Sequence, residues 1–139
     1  MRVMFDINIL VDVLQRREPF LYDSATICDA AKKGRCQGVV PSHAVTTLYY
    51  LVRRCVDKDA AVKSLDWILS TFDVAPCDKA VFLLAKTLNF SDFEDAVVAA
   101  TAATYNCDYI VTRNIGDFKK SPVRAITPEE ALSIVIAKV

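Results

Sequence analysis

Short apolar runs recur along this chain at residues 2–5, 37–40, 72–75 and 109–112, and the stretches between them carry apolar residues at helical spacing. That alternation is the strongest constraint on what the chain can become. Strands that alternate with helices are read as βαβ units, which build a parallel sheet covered by helices on both faces. The spacing predicts a strand at Arg2–Phe5 and a helix over Ile7–Arg17, apolar at 7, 10, 11 and 14 and broken by Pro19. A helix over Leu21–Lys33 follows, with Ala25, Cys28 and Ala31 inward, and stops at Gly34. Gln37–Val40 is the next strand, and Ser42 is expected to cap a helix running to Cys55. Asp59–Thr71 and Asp78–Leu88 read as helices on either side of a strand at Phe72–Ala75. Ser91 and Glu94 have the spacing of a capping box for a helix running from Asp92 to Tyr105. Tyr109–Thr112 and Val123–Ile126 complete the strands, and Thr127-Pro128-Glu129-Glu130 opens a last helix. The expected fold class is α/β: a three-layer sandwich around a mainly parallel sheet of about five strands, in a single domain over residues 1–139.

Composition excludes several classes. A chain that is 53% apolar with 3 glycines has the means to bury a core rather than stay disordered. No stretch is apolar for long enough to span a bilayer. Asp6 and Asp12 interrupt the apolar N-terminus, which opposes a signal peptide. The cysteines, at 28, 36, 55, 77 and 107, are odd in number and form no CxxC pair, so reduced thiols and a cytoplasmic location are expected. Charge balances to zero, with a pI near 6.6, and gives no basic footprint for nucleic acid. Local basic pairs such as Arg16-Arg17, Arg53-Arg54 and Lys119-Lys120 read as solvated helix ends or turns. His43, the one histidine, would have to serve any Ser-His-Asp or Cys-His site, and it reads as a surface or capping residue. Neither GxGxxG nor GxxxxGK[ST] occurs.

What remains is acid. In a parallel α/β sheet, strand carboxyl ends and the helix starts after them share one edge, and ligands bind outside it. Asp6 ends the first strand, and Thr47 is one turn into the helix after the second. Asp92 and Asp95 open the alanine-rich helix, and Thr112, Asn114 and Asp117 follow the fourth strand. All are predicted to reach that edge. Carboxylates gathered there repel one another, and a divalent cation with oxygen ligands, Mg²⁺ or Mn²⁺, removes the conflict. Each acid also has a structural reading: Asp6 as a helix cap, Asp92 as a first-turn acid on the helix dipole, Glu94 as the capping-box partner, Asp117 as a turn residue. Asp95 is harder to explain that way. It lies past the capping positions, directly before Ala96-Val97-Val98-Ala99-Ala100, where a carboxylate needs a partner or an ion.

The stretches VMFDINILVDVL, DAVVAATAATYNCDYIVTRN and TRNIGDF, taken in this order, resemble the PIN domain, a family of small α/β metal-dependent ribonucleases. The resemblance covers nearly the whole chain. It implies Asp6, Asp95 and Asp117 as catalytic metal ligands for Mg²⁺ or Mn²⁺, with Asp92 beside them, and metal-activated water that cleaves an RNA phosphodiester. Asn114, Thr112, Thr47 and Asn8 would support the site, and Arg113 would help to neutralise the substrate phosphate. Small proteins of this kind resemble the toxins of bacterial toxin–antitoxin pairs, which implies a homodimer and an antitoxin protein over the acidic cleft. One departure stands out. The family pattern resembles T-E-L-Y in the helix after the second strand, and here Thr46-Thr47-Leu48-Tyr49 puts Thr47 where the glutamate would be. That leaves a second reading, a catalytically weakened PIN-like module that binds RNA or a protein partner. A third, a phosphotransfer fold with Asp6 as nucleophile, lacks the second acid of a D-x-D motif, because Asn8 stands there.

Overall fold

Period-two alternation along the strands sends side chains to two separate cores. In the computed structural model, which describes residues 1–137, Val3, Phe5, Val40 and Val111 pack into one cluster, while Met4, Val39 and Ile110 pack into the other. The strands are β1 (Arg2–Phe5), β2 (Gln37–Pro41), β3 (Asp73–Ala75), β4 (Tyr109–Val111) and β5 (Ala125–Ile126). They form one sheet in the order β3-β2-β1-β4-β5, and every pairing is parallel.

The helices are α1 (Ile7–Leu14), α2 (Leu21–Lys32), α3 (Ser42–Cys55), α4 (Lys58–Thr71), α5 (Lys79–Thr87), α6 (Phe93–Thr104) and α7 (Pro128–Ala137). Residues of α1 to α4 and of α7 fill the first core, through Leu10, Ile27, Leu48, Ile68 and Val135 among others. Helices α5 and α6 cover the other face. The chain therefore lays β1, β2 and β3 outward in one direction, crosses back over the opposite face, and resumes at β4 beside β1. The expected three-layer parallel sandwich is what forms.

Two close approaches rest on small residues. Helix α6 buries Ala96, Ala99, Ala100 and Ala102, so its backbone lies near the sheet and near α5. At Gly38 in β2, a Cβ would come 2.8 Å from the Phe72 ring and 2.9 Å from the Ala31 Cβ. The first helix ends three residues before the expected Arg17, because Arg16 turns left-handed at φ 51° and Arg17 N–H bonds back to the Asp12 carbonyl.

Local capping is corrected at two helix starts and upheld at a third. Ser42 does not cap α3; its Oγ accepts the backbone N–H of Cys77, 3.0 Å away. Ser91 and Glu94 form no capping box. Asp92 is the cap of α6, and its Oδ1 accepts the Asp95 N–H at 3.1 Å. Thr127 and Glu130 do form the reciprocal box, with Thr127 Oγ1 accepting from Glu130 N–H and Glu130 Oε1 accepting from Thr127 N–H.

Candidate active site

The crossing back from β3 to β4 creates a reversal of strand order beside β1, and the carboxyl edge at such a reversal is where open α/β sheets bind ligands. Asp6 is the residue that follows β1 there. It has the backbone of a helix cap but makes no capping bond with its side chain. Instead its N–H extends the ladder to the Val111 carbonyl at 3.0 Å, and its Oδ2 accepts the Thr112 hydroxyl at 2.8 Å. Thr112 is fully buried, and its Oγ1 also accepts the Asn114 N–H at 3.0 Å. Thus the ends of β1 and β4 are tied through one carboxylate, which is itself 3% exposed. Burial pushes the Asp6 carboxyl up, and the hydrogen bonds from Thr112 and from the Ile7 backbone oppose that rise. The Glu94 charge raises it further and the Arg113 charge lowers it.

Asp95 sits in the first turn of α6, partly exposed. Burial and then the charges of Asp6, Asp92, Asp117 and Glu94 raise its carboxyl to about 7. Four acids from three parts of the chain therefore act on one carboxylate. Asp117 lies in a single 3₁₀ turn, Ile115–Phe118, and its N–H bonds to the Asn114 carbonyl at 3.0 Å. Asp92, Asp95 and Asp117 line a cleft of about 450 Å³, and Lys119 and Lys120 stand at its rim. Lys120 Nζ donates to the Asn89 carbonyl at 3.2 Å.

Asp6, Asn8, Thr47, Thr112, Arg113 and Asn114 are not among the residues that line this cleft. Thr47 is exposed on α3, and its hydroxyl donates to the His43 carbonyl at 3.0 Å. Asn8 is half-buried in the first turn of α1. Arg113 departs most from expectation: its guanidinium grips the fully buried Asp12 and stacks 3.9 Å over the Phe20 ring. An arginine so engaged is not free to meet a phosphate, and the cations at the cleft are the two lysines. From the sequence Glu94 reads only as a capping partner, yet its charge reaches both Asp6 and Asp95. Its position two residues after the true cap was the signal that could have found it.

Among the described residues, no three acidic, histidine or cysteine side chains are already gathered closely enough to hold an ion unaided. The donor set nonetheless fits a hard divalent cation. Its members are oxygen ligands, their mutual repulsion is visible in Asp95, and Mg²⁺ typically takes one or two carboxylates and completes its shell with water.

The PIN domain sequence profile matches residues 2–116. The chain belongs to the PIN domain family. Ribonuclease VapC1 of Aquifex aeolicus is 24% identical over 134 residues, covering 93% of this chain and 92% of that protein. Among solved structures, DNA-bound VapBC from Salmonella typhimurium superposes with a TM-score of 0.70 at 14% identity, over 92% of this chain and 98% of that one. A toxin–antitoxin complex from Klebsiella pneumoniae gives a TM-score of 0.68 at 21% identity, over 91% and 97%. At these identities the structures speak for the PIN fold.

Proposed function

We propose that this PIN domain is a metal-dependent endoribonuclease that hydrolyses RNA phosphodiester bonds, and that it is the toxin of a toxin–antitoxin pair. The observation that carries the reading is the convergence of Asp6, Asp92, Asp117 and Glu94 on Asp95 at the strand-order reversal of a PIN fold. Asp6, Asp95 and Asp117 would hold Mg²⁺ or Mn²⁺, with Asp92 adding charge from the cap of α6. Such an ion supplies a water activated at neutral pH and stabilises charge on the phosphoryl group.

The chain's own residues prepare that chemistry. Thr112 fixes the Asp6 carboxylate, so it is already oriented before a ligand arrives. Lys119 and Lys120 meet the RNA phosphates at the rim, and Asn114, Asn8 and Thr47 orient water or phosphate along the edge. Thr47 contributes no charge, and the charges of Asp92 and Glu94 on α6 reach Asp95. A protein antitoxin as partner follows from likeness to the toxin–antitoxin complex, and we infer from the family resemblance that it covers the cleft and that the toxin is a homodimer. The free cysteines suit a reducing cytoplasm.

The deciding experiment is cleavage of a mixed single-stranded RNA pool with Mg²⁺, with Mn²⁺ and with chelator, run beside Asp95→Asn. Metal-dependent cleavage lost in the variant is expected. Cleavage that survives in Asp95→Asn would overturn the assignment. The second reading, a binding module, is favoured by Thr47 in place of an acid. It predicts no cleavage and no metal-dependent protection against unfolding.

A further inference from the structure

Three elements meet around a thiol at the far side of the same sheet edge. Cys77 lies between β3 and α5. Its Sγ is 3.5 Å from Nδ1 of His43, on α3, and 3.4 Å from Oγ1 of Thr101, on α6. Its backbone N–H is anchored to Ser42 Oγ at 3.0 Å. His43 is thus not the surface or capping residue that the sequence suggests. Its Nδ1 meets the sulfur, and its Nε2 is buried without a partner. The ring has one polar contact to offer, and that contact is the thiol.

Besides these contacts, the sulfur has the Ala75 carbonyl 3.9 Å away. Cys77 packs against the apolar cluster of Val81, Ala85, Ala96, Val97 and Ala100 from α5 and α6. The adjacent Asp78 spends its Oδ1 on the Val81 N–H as the cap of α5. Thr101 donates its proton to the Val97 carbonyl at 2.6 Å, and its Oγ1 lies 3.4 Å from the sulfur, so a rotation of its hydroxyl would turn that proton onto a thiolate. Burial alone raises the Cys77 thiol, but the hydrogen bonds of His43, Ser42 and Thr101 and of the His43 backbone outweigh it and bring the thiol down to about 6. Cys107, equally free but without such partners, is pushed up by burial to about 12.

Reactive cysteines occur in this setting: partly accessible, beside a histidine, with donors aimed at the sulfur. We propose that Cys77 and His43 form a modification site, in which His43 activates the thiol toward small electrophiles of the hydroperoxide class. The thiol proton passes to His43, and the sulfur attacks one peroxide oxygen. An S–O bond forms and the O–O bond breaks. The leaving oxygen takes the proton from His43 and departs as water or alcohol. Sulfur is oxidised to a sulfenic acid and the peroxide is reduced. This inference is independent of RNA cleavage, and so is its test.

The intact protein is alkylated with iodoacetamide across a pH series, and each cysteine peptide is quantified by mass spectrometry. Cys55, which is exposed, serves as the internal standard. Cys77 is expected to label about tenfold faster than Cys55 at neutral pH, with a midpoint near the value of about 6. His43→Phe should slow Cys77 by about tenfold and move its midpoint upward, leaving Cys55 unchanged. Hydrogen peroxide followed by dimedone should tag Cys77 and leave Cys77→Ser untagged there. Labelling of Cys77 no faster than Cys55 overturns the proposal. So does a His43→Phe variant with unchanged rate and midpoint. Should that variant fail to fold, the comparison of Cys77 with Cys55 in the native chain decides alone.

Discussion

Arg113 closes a fork on Asp12 from 101 residues away, with Nε 2.6 Å from Oδ2 and Nη2 2.9 Å from Oδ1. Asp12 is completely buried and takes a third bond from the Ser24 hydroxyl at 3.0 Å. The pair joins α1 to the loop after β4. Bidentate pairs of this kind orient as well as attract. Removing one partner of a buried pair leaves an uncompensated charge.

Arg113→Ala should therefore unfold more easily, by about 3 kcal/mol. The lower end of the usual range applies, because 20% of the Arg113 side chain is still in water. Denaturant titration measures the loss. Asp12→Asn paired with Arg113→Ala should recover part of it, and an Arg113→Ala variant as stable as the parent would refute a structural role for the fork.

Asp95 gives a pH signature. Its carboxyl is raised in the folded chain to about 7 from 3.8. Between those values the folded protein holds a proton that the unfolded chain has released. The stabilising contribution is thus complete at low pH and is lost as pH rises through the folded value. In chelator, the melting temperature of the native protein should fall from about pH 5 to about pH 8 more than that of Asp95→Asn. Added Mn²⁺ should narrow the gap at the upper end. Identical pH slopes for the two proteins would remove the carboxylate repulsion from the account.

Thr112→Val should cost about 1.5–3 kcal/mol, since it strips a buried carboxylate of its hydroxyl donor and leaves the Asn114 N–H without its acceptor. The same change should loosen metal binding, read as a smaller thermal shift with Mn²⁺. Thr112→Ser, which keeps the hydroxyl, should retain most of both.

Thr47→Glu tests what the family departure means. Thr47 is exposed and bonds only to its own helix, so a longer acid fits without disturbing the core. The variant should bind Mn²⁺ more tightly and cleave RNA faster. No change in either would mean that Glu94 and Asp92 already furnish the charge.

The order of elements was legible because periodicity is local. Apolar spacing alone located the strands and the helices, and Thr127 with Glu130 capped α7 as their spacing says. What escaped depended on distant partners. Ser42 has every local qualification for a cap, yet Cys77, 35 residues on, takes its hydroxyl. Arg113 looked like a free cation because nothing near it in sequence reveals Asp12. His43 looked like surface for the same reason, since its thiol partner comes from another crossover. The acids were legible as a group because topology, rather than any one contact, brings strand ends to a common edge.

The strand order also sets a timetable. Asp6 is made first among the acids, but its hydroxyl donor lies 106 residues later, and Asp117 later still. A chain emerging from the ribosome carries one acid of the centre through the first three strands, and gains the rest only when α6 and β4 arrive. A copy that stops before α6 and β4 therefore lacks most of the centre, and under the proposed function it lacks the means to cut RNA.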